Sequence, residues 1–194
     1  MRLRILLWNV REAKDRNKRK LIKGVIKTQK VDLVCLQETK IQEMNSGIVR
    51  SLGVGRCLEW EAMNSRGTIR VVVVFWDNRV LQIVEMEVGK YSVSCRFKNC
   101  EDGFCWIFIG VYGPTVKLER EDFLSELGAI RGLWNESWCV AGDFNMIKFH
   151  SKCSRGGRLS LAMRRFSKVV EDSELRDLHL QGGCSLGVEV LIIG

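Results

Sequence analysis

The sequence has few histidines, no long apolar run and no paired-cysteine motif, and each absence excludes a class of protein. It holds two histidines, and none of its eight cysteines forms a CxxC pair, so a zinc site lacks suitably spaced ligands. No stretch approaches the ~20 apolar residues of a membrane span. The opening "MRLRILLWNV" lacks the apolar length and the cleavage site of a signal peptide. We expect a soluble intracellular protein, in the nucleus or cytoplasm, without a membrane partner.

The composition fits one folded domain with a basic surface. A chain of 194 residues with 46% hydrophobic and 28% charged residues can bury a sizeable core, which argues against disorder. Cys35 in "DLVCL" and Cys139 in "WCVAG" take the place of small apolar residues in strand-like runs, so buried, reduced thiols are expected. The net charge of +8 points to a polyanionic partner, either nucleic acid or an anionic surface.

The first 40 residues predict a strand, a helix and a second strand. Residues 3–8 form an apolar run, and Asp15 can cap a helix that extends to about Gln29. "VDLVCLQE" reads as a second buried strand, which gives a βαβ-like opening. The predicted inner face of the helix consists of Leu21, Ile22, Val25 and Ile26. The Lys18–Lys30 cluster on its outer face is interpreted as solvated.

The middle of the chain predicts four strands between residues 69 and 112, followed by further helices. Tyr91, Val93, Cys95 and Phe97 alternate with polar residues, which is typical of a half-exposed antiparallel strand. A helix is predicted from about Arg120 to Trp134, then the strand "WCVAG", then a helix beginning at Ser160. These elements favour an α/β fold with two mixed, mostly antiparallel sheets face to face and helices outside.

Polar side chains stand where four apolar strands end. They are Asn9 after "LLW", Glu38 after "VCLQ", Tyr112 in "GVYGP", and Asp143 with Asn145 in "AGDFN". Strand ends in layered α/β folds commonly meet at one edge, so the five can share a pocket. Each also has an ordinary structural reading: a turn former, a surface acid or a core aromatic with its hydroxyl satisfied.

Together these five side chains suit phosphoryl chemistry. Glu38 offers the hard oxygen ligand that Mg²⁺ prefers. Asp143 can orient and deprotonate a water molecule. Asn145 and Tyr112 are neutral donors suited to charge that develops on a phosphoryl oxygen.

The motifs "WNVR", "LQETK", "VYGP" and "GDFN", in this order, resemble the endonuclease/exonuclease/phosphatase superfamily. More closely, over residues 1–183 the chain resembles the endonuclease domain of LINE-type (non-LTR) retrotransposons, particularly plant copies. The resemblance implies a four-layered α/β sandwich and metal-dependent hydrolysis with Mg²⁺ (or Mn²⁺). It implies a monomer that nicks DNA and uses no small-molecule cofactor. Glu38 and Asn9 would hold the metal, and Asp143, Asn145, Tyr112 and Asn9 would be catalytic.

The end of the chain departs from that pattern. After "LHLQGG" the family continues to a later aspartate and a histidine, whereas this chain reads "CSLGVEVLIIG". His150 and His179 stand in other contexts and are interpreted as loop residues. Residues 184–194 are therefore interpreted as an atypical tail, produced by a frameshift or a truncation, on an incomplete domain with catalysis weak or lost. The segment "VEVLII" is predicted to replace a missing strand at the exposed sheet edge.

Basic residues follow the "GDFN" strand and are expected to meet DNA phosphates or to form a solvated face. The candidate nucleic-acid contacts are Lys148, Lys152, Arg155 and Arg158. Two alternatives to a DNA endonuclease stay open. One is a non-catalytic nucleic-acid-binding remnant. The other is a phosphatase of the same superfamily that acts on a non-nucleic substrate.

Overall fold

A computed structural model describes residues 2–10, 15–37, 45–52, 58–64, 71–145, 176–177 and 189–192. Short apolar runs form the strands of these segments, and each helix places one apolar face inward. In chain order the elements are β1 (Ile5–Asn9), α1 (Arg16–Gln29), β2 (Leu33–Gln37), α2 (Ser46–Leu52), β3 (Leu58–Asn64), β4 (Val71–Asp77), β5 (Leu81–Val88), β6 (Ser92–Asn99), β7 (Cys105–Tyr112), α3 (Arg120–Arg131), β8 (Ser137–Asp143), β9 (Arg176–Asp177) and β10 (Glu189–Ile192). None of the described helices is long and apolar enough to cross a membrane.

The strands form two sheets with the orders β1-β2-β4-β3 and β5-β6-β7-β8-β10-β9. Most neighbours are antiparallel, but β1 pairs with β2 and β7 pairs with β8 in parallel. A parallel pair needs a crossover connection, which α1 supplies in the first case and α3 in the second. The predicted βαβ opening is therefore confirmed, and the carboxyl ends of β1 and β2 lie side by side, as do those of β7 and β8.

Three apolar clusters separate four layers. In the first cluster, Ile22 and Ile26 of α1 pack with Val34 and Leu36 of β2. The second fills the space between the sheets, and the third lies between β7, β8 and α3. The sheets also approach closely at Gly110, where an added Cβ would lie 3.0 Å from the Cys35 Sγ. The predicted four-layered sandwich is confirmed.

The predicted start of α1 is confirmed, but one residue of its predicted inner face is not. The Asp15 carboxylate accepts the Asn17 N–H at 2.8 Å, which caps the helix. Ile22 and Ile26 are buried, whereas Leu21 is 58% exposed. Because each residue advances about 100° around a helix, Leu21 points away from the face that Ile22 buries.

The half-exposed character predicted for β6 is confirmed at Lys98, which is exposed, but is wrong for the first half of the strand. Ser92 and Ser94 are fully buried, although they lie on the face opposite Val93 and Cys95. Helix α3 covers that second face: the Glu126 carboxylate accepts hydrogen bonds from the Lys90 and Tyr91 N–H groups and from the Ser92 hydroxyl. Helix α3 follows later in the chain and covers the side of β6 on which Ser92 and Ser94 lie. The alternation of residues within β6 does not predict this burial.

Three of the described elements had no counterpart in the sequence prediction, and the segment predicted at the tail forms a strand. The missed elements are α2, β3 and β9. The prediction that the tail supplies a strand is confirmed for Glu189–Ile192, which pairs antiparallel with β8 along Cys139–Gly142. The helix predicted from Ser160 lies outside the described residues, and the helix predicted to reach Trp134 ends at Arg131.

The thiols of Cys35, Cys95 and Cys139 are buried in the inter-sheet core, as predicted for the first and third of them. Burial disfavours the thiolate and raises the pKa of Cys95 and of Cys139 from 9.0 to about 12. We expect iodoacetamide at pH 8 to label exposed Cys100 in the native protein and to spare these three until denaturant is added. Peptide mass spectrometry measures this, and labelling of all four at one rate would contradict it.

The raised pKa values of these thiols also predict how the stability of the fold changes at alkaline pH. Since the folded state keeps protons that the unfolded chain loses above about pH 9, stability should fall as pH rises from about 9 towards 12.

Candidate active site

Asn9 ends β1 with a buried oxygen that accepts no hydrogen bond from the described residues. It lies opposite Gln37 in the parallel pair, and the next residue, Val10, donates its N–H to the Gln37 carbonyl at 2.8 Å. The Asn9 Oδ1 atom is buried and unpaired among the described residues. A buried carboxamide oxygen without a donor is costly unless something else approaches it, and a cation is one such partner.

Gln37 connects the two sheets at the edge where the candidate residues lie. Its side chain is 1% exposed. The Nε2 group donates to the Val111 carbonyl on β7, and Oε1 accepts the Asp143 N–H on β8 at 3.1 Å. A planar amide can donate and accept side by side, which neither an apolar residue nor a carboxylate can do. Gln37 therefore ties the end of β2 to the strand ends that carry Tyr112 and Asp143.

Tyr112 and Asp143 are neighbours across the parallel β7–β8 pair. Tyr112 is 5% exposed and belongs to the inter-sheet core. Beyond the strands the two chains stay together, because Gly113 donates its N–H to the Asp143 carbonyl at 2.7 Å. Tyr112 and Asp143 therefore lie together at one corner of the six-stranded sheet.

The segment from Asp143 to Asn145 is a tight turn held by two hydrogen bonds. The Asp143 Oδ1 atom accepts the Asn145 N–H at 2.9 Å, and the Asn145 Nδ2 group donates to the Gly113 carbonyl at 2.7 Å. Asn145 has a φ of 50°, a conformation that asparagine tolerates better than most residues. Between them Phe144 is buried against the α3 side of the sheet, with its ring 6.2 Å from that of Phe123.

Two glycines allow the backbones at this corner to approach closely. A Cβ on Gly142 would lie 1.9 Å from the Val111 carbonyl oxygen and 2.3 Å from the Gln37 Nε2, and its φ is 150°. A Cβ on Gly113 would lie 2.0 Å from the Phe144 carbonyl oxygen. Real Cβ atoms do not occupy such positions, so both sites require glycine.

Arg120 supports the same turn from the start of α3. Its guanidinium Nη2 donates to the Asn145 carbonyl at 3.4 Å, while its Nε is buried with no partner among the described residues. The sequence prediction missed both Arg120 and Gln37. For Gln37 a signal was present, since an uncharged polar residue ends an otherwise apolar strand that must be buried on both faces.

The structure places four of the predicted site residues along one edge: Asn9 on the four-stranded sheet, and Tyr112, Asp143 and Asn145 on the six-stranded sheet. Glu38 directly follows Gln37 but lies outside the described residues, as do Lys148, Lys152, Arg155 and Arg158. Within the described ranges no three His, Cys, Asp or Glu residues form a metal cluster. The unpaired Asn9 oxygen nevertheless fits a hard, oxygen-liganded cation such as Mg²⁺.

Solved structures with this fold support the architecture. The endonuclease domain of TRAS1, a telomere-specific non-LTR retrotransposon, superposes with a TM-score of 0.71 at 13% identity and covers 97% of this chain and 83% of that one. An endonuclease/exonuclease/phosphatase family protein from Bacteroides thetaiotaomicron gives 0.70 at 13% identity, covering 98% and 82%. A mannosyl-6-phosphatase from the same organism gives 0.66 at 13% identity, covering 98% and 85%.

Comparison with curated proteins by sequence gave no match. The family model described as "Endonuclease/Exonuclease/phosphatase family" matches residues 6–184, nearly the whole chain. Members of this family include endonucleases, phosphatases and phosphodiesterases, generally dependent on a divalent metal. With the fold and the shared edge of polar residues in place, the chain belongs to the endonuclease/exonuclease/phosphatase family.

Proposed function

We propose that this chain is a metal-dependent phosphodiester hydrolase of the DNA endonuclease type, derived from a plant LINE-type retrotransposon and weakened in catalysis. The observation that supports this best is the Gln37 amide, which fixes the end of β2 to the strand ends carrying Tyr112 and Asp143. Residues from both sheets are thereby held at one edge, as an in-line attack on a phosphate requires.

In this proposal each protein group has a distinct role. Asp143 orients the attacking water and takes its proton. The Asn145 amide, which keeps a second N–H beyond the one given to Gly113, and the Tyr112 hydroxyl face the phosphoryl oxygens. The fixed turn between Asp143 and Asn145 means that little reorganisation is needed when substrate binds.

Asn9 and Glu38 are the residues that would hold Mg²⁺ (or Mn²⁺). Such an ion supplies Lewis acidity and neutralises charge on a phosphoryl oxygen. The chain's own contribution is the placement of the Asn9 oxygen, buried beside Gln37 and without a donor among the described residues.

DNA is the proposed substrate because the net charge of the chain is +8. A basic protein that cleaves internal phosphodiesters gains affinity from each phosphate it neutralises. Residues 1–183 would form the hydrolase domain, acting as a monomer, with Lys148, Lys152, Arg155 and Arg158 contacting the backbone and 184–194 as an atypical tail.

Turnover by this 194-residue chain is proposed to be weak. The family's later aspartate and histidine have no counterpart in "CSLGVEVLIIG", and His150 and His179 stand in unrelated contexts. Loss of one electrostatic stabiliser typically costs ~10²–10³ in rate, so loss of two leaves little activity.

Supercoiled plasmid in Mg²⁺ tests the proposal. We expect DNA binding that weakens steeply with salt, together with slow, EDTA-sensitive nicking that falls to background in Glu38→Ala and Asp143→Asn. A phosphomonoester such as mannose 6-phosphate should not be hydrolysed. Gel electrophoresis measures nicking, and fluorescence anisotropy measures binding.

Three outcomes would contradict parts of the proposal. Fast nicking abolished by Glu38→Ala would mean that the missing motifs are not needed. Binding without any nicking would leave a non-catalytic nucleic-acid-binding domain. Phosphomonoester hydrolysis with salt-independent DNA binding would favour a phosphatase.

A further inference from the structure

Helices α1 and α3 each cover the outer face of one sheet, but they differ sharply in charge. Between residues 16 and 30 there is no acidic residue, and seven are basic: Arg16, Lys18, Arg19, Lys20, Lys23, Lys27 and Lys30. Helix α3 instead carries Glu121, Asp122 and Glu126 against Arg120 and Arg131. Since α3 covers its sheet without excess positive charge, packing does not explain the charge of α1.

Five of these basic residues form one exposed row, which we call the α1 row: Arg16, Lys20, Lys23, Lys27 and Lys30. Their spacing of three or four residues stacks them along a single side of the helix. Among the residues that the structure describes, none of the five has a carboxylate within salt-bridge distance; Lys23 donates instead to the Arg50 carbonyl of α2 at 3.4 Å. Like charges at this spacing repel by about 0.2–0.5 kcal/mol a pair, so the row costs helix stability when nothing faces it.

The row begins at the edge that carries the candidate active site. Helix α1 follows the carboxyl end of β1, where Asn9 lies, and runs back along the outside of the sheet to β2. Arg16 and Lys20 are therefore nearest the site and Lys30 is farthest. Fourteen helical residues span about 21 Å, the axial length of roughly six base pairs.

The apolar residues of α1 argue against a lipid surface as the partner. A helix that lies in a membrane interface needs a broad free apolar face. In α1 that face is already used, because Ile22 and Ile26 are buried in the sandwich, and Leu21 is its one large exposed apolar side chain.

We propose that the α1 row is a docking surface for the phosphate backbone of duplex DNA, separate from the basic segment that follows Asn145. The identity of the polyanion rests on the proposed function, since the DNA held here would be the duplex next to the nicked phosphate. Contacts to phosphates position a duplex without reading its sequence.

The test compares two triple variants of the full chain by anisotropy on a fluorescent 20-base-pair duplex. The first, Arg16→Gln, Lys20→Gln, Lys27→Gln, removes three charges from the α1 row while keeping helix propensity. The matched control, Arg79→Gln, Lys98→Gln, Arg131→Gln, removes three charges at the opposite end of the strands. We expect the first to lose at least about tenfold in affinity, with a log–log salt slope shallower by about 2–3, and the control to change less than about twofold.

Each other result overturns the inference. Equal losses in the two variants would mean a response to net charge alone, and no loss in the first would mean that the row is merely solvated. Loss of binding to phosphatidylserine vesicles, with DNA binding intact, would assign the row to a membrane. If the wild-type chain binds no DNA, the proposed function fails as well, whereas unchanged binding in both variants overturns only the α1 row.

Discussion

Replacing Gly142 with alanine should lower the free energy of unfolding by about 3–5 kcal/mol. The new methyl group would lie 1.9 Å from the Val111 carbonyl oxygen and 2.3 Å from the Gln37 Nε2. Backbone cannot move away as a flexible side-chain end can, and the φ of 150° already disfavours a side chain. The β7–β8 pair must therefore separate, or Gln37 must leave its position.

Gly128→Ala is the matched control. Gly128 lies in α3, and a Cβ added there has no atom within 4 Å apart from its chain neighbours and the backbone of its own helix. That variant should stabilise the chain by about 0.5–1 kcal/mol, because alanine loses less backbone freedom in a helix. Urea or thermal unfolding measures both, and for a domain of this size the loss in Gly142→Ala corresponds to a fall in Tm of roughly 10 °C. A Tm unchanged by Gly142→Ala would mean that the two sheets do not meet as described.

Replacing Gln37 with methionine should cost about 2–4 kcal/mol and also slow any nicking by at least about tenfold. Methionine fills similar space but can neither donate to the Val111 carbonyl nor accept the Asp143 N–H. The stability loss follows from two buried partners left without hydrogen bonds. The rate loss follows because Asp143 is then no longer held in register with the end of β2.

Gln37→Glu separates these hydrogen bonds from simple packing. A neutral glutamic acid donates and accepts much as the amide does, whereas an ionised one only accepts and sets its charge against the Val111 carbonyl. Burial and the missing donor raise the pKa of such a carboxyl, so this variant should be near wild type at low pH and lose stability as pH rises. Unfolding of wild type, Gln37→Glu and Gln37→Met from pH 5 to 8 measures this.

The exposed Gln82 on β5 provides the control, since Gln82→Met should change little. A Gln37→Glu variant as unstable at pH 5 as at pH 8 would refute the double role of the amide.

The sequence revealed the fold chiefly through strands whose side chains all face packed layers. In β2 and β7 nearly every position is buried, so an unbroken apolar run is the expected pattern. The polar residues at the ends of these strands stood out for the same reason, and the pairing of β1 with β2 and of β7 with β8 brought Asn9, Tyr112 and Asp143 to one edge.

What the sequence could not reveal depends on partners distant in the chain. Nothing in "YSVSCRF" indicates that Glu126 will cover Ser92, and the alternating acids of "LEWEAMN" hide a strand that β4 holds in place. The role of Gln37 escaped for a similar reason. Its partners, Val111 and Asp143, are 74 and 106 residues away, and only the stacking of the sheets brings them together.

The residues of the candidate site are divided between the two sheets, so the apolar core between the sheets sets the distance between them. Where Gly110 faces Cys35, an added Cβ would lie 3.0 Å from the Sγ atom, so an extra methyl group would require the neighbouring side chains to shift by a few tenths of an ångström. We expect the enlargement of Cys35 to leucine to increase the distance between Asn9 and Asp143, although neither of those residues is changed. Substitutions in the interior of this protein should therefore alter catalytic geometry at a distance, and the most closely packed strands are where its chemistry can be tuned.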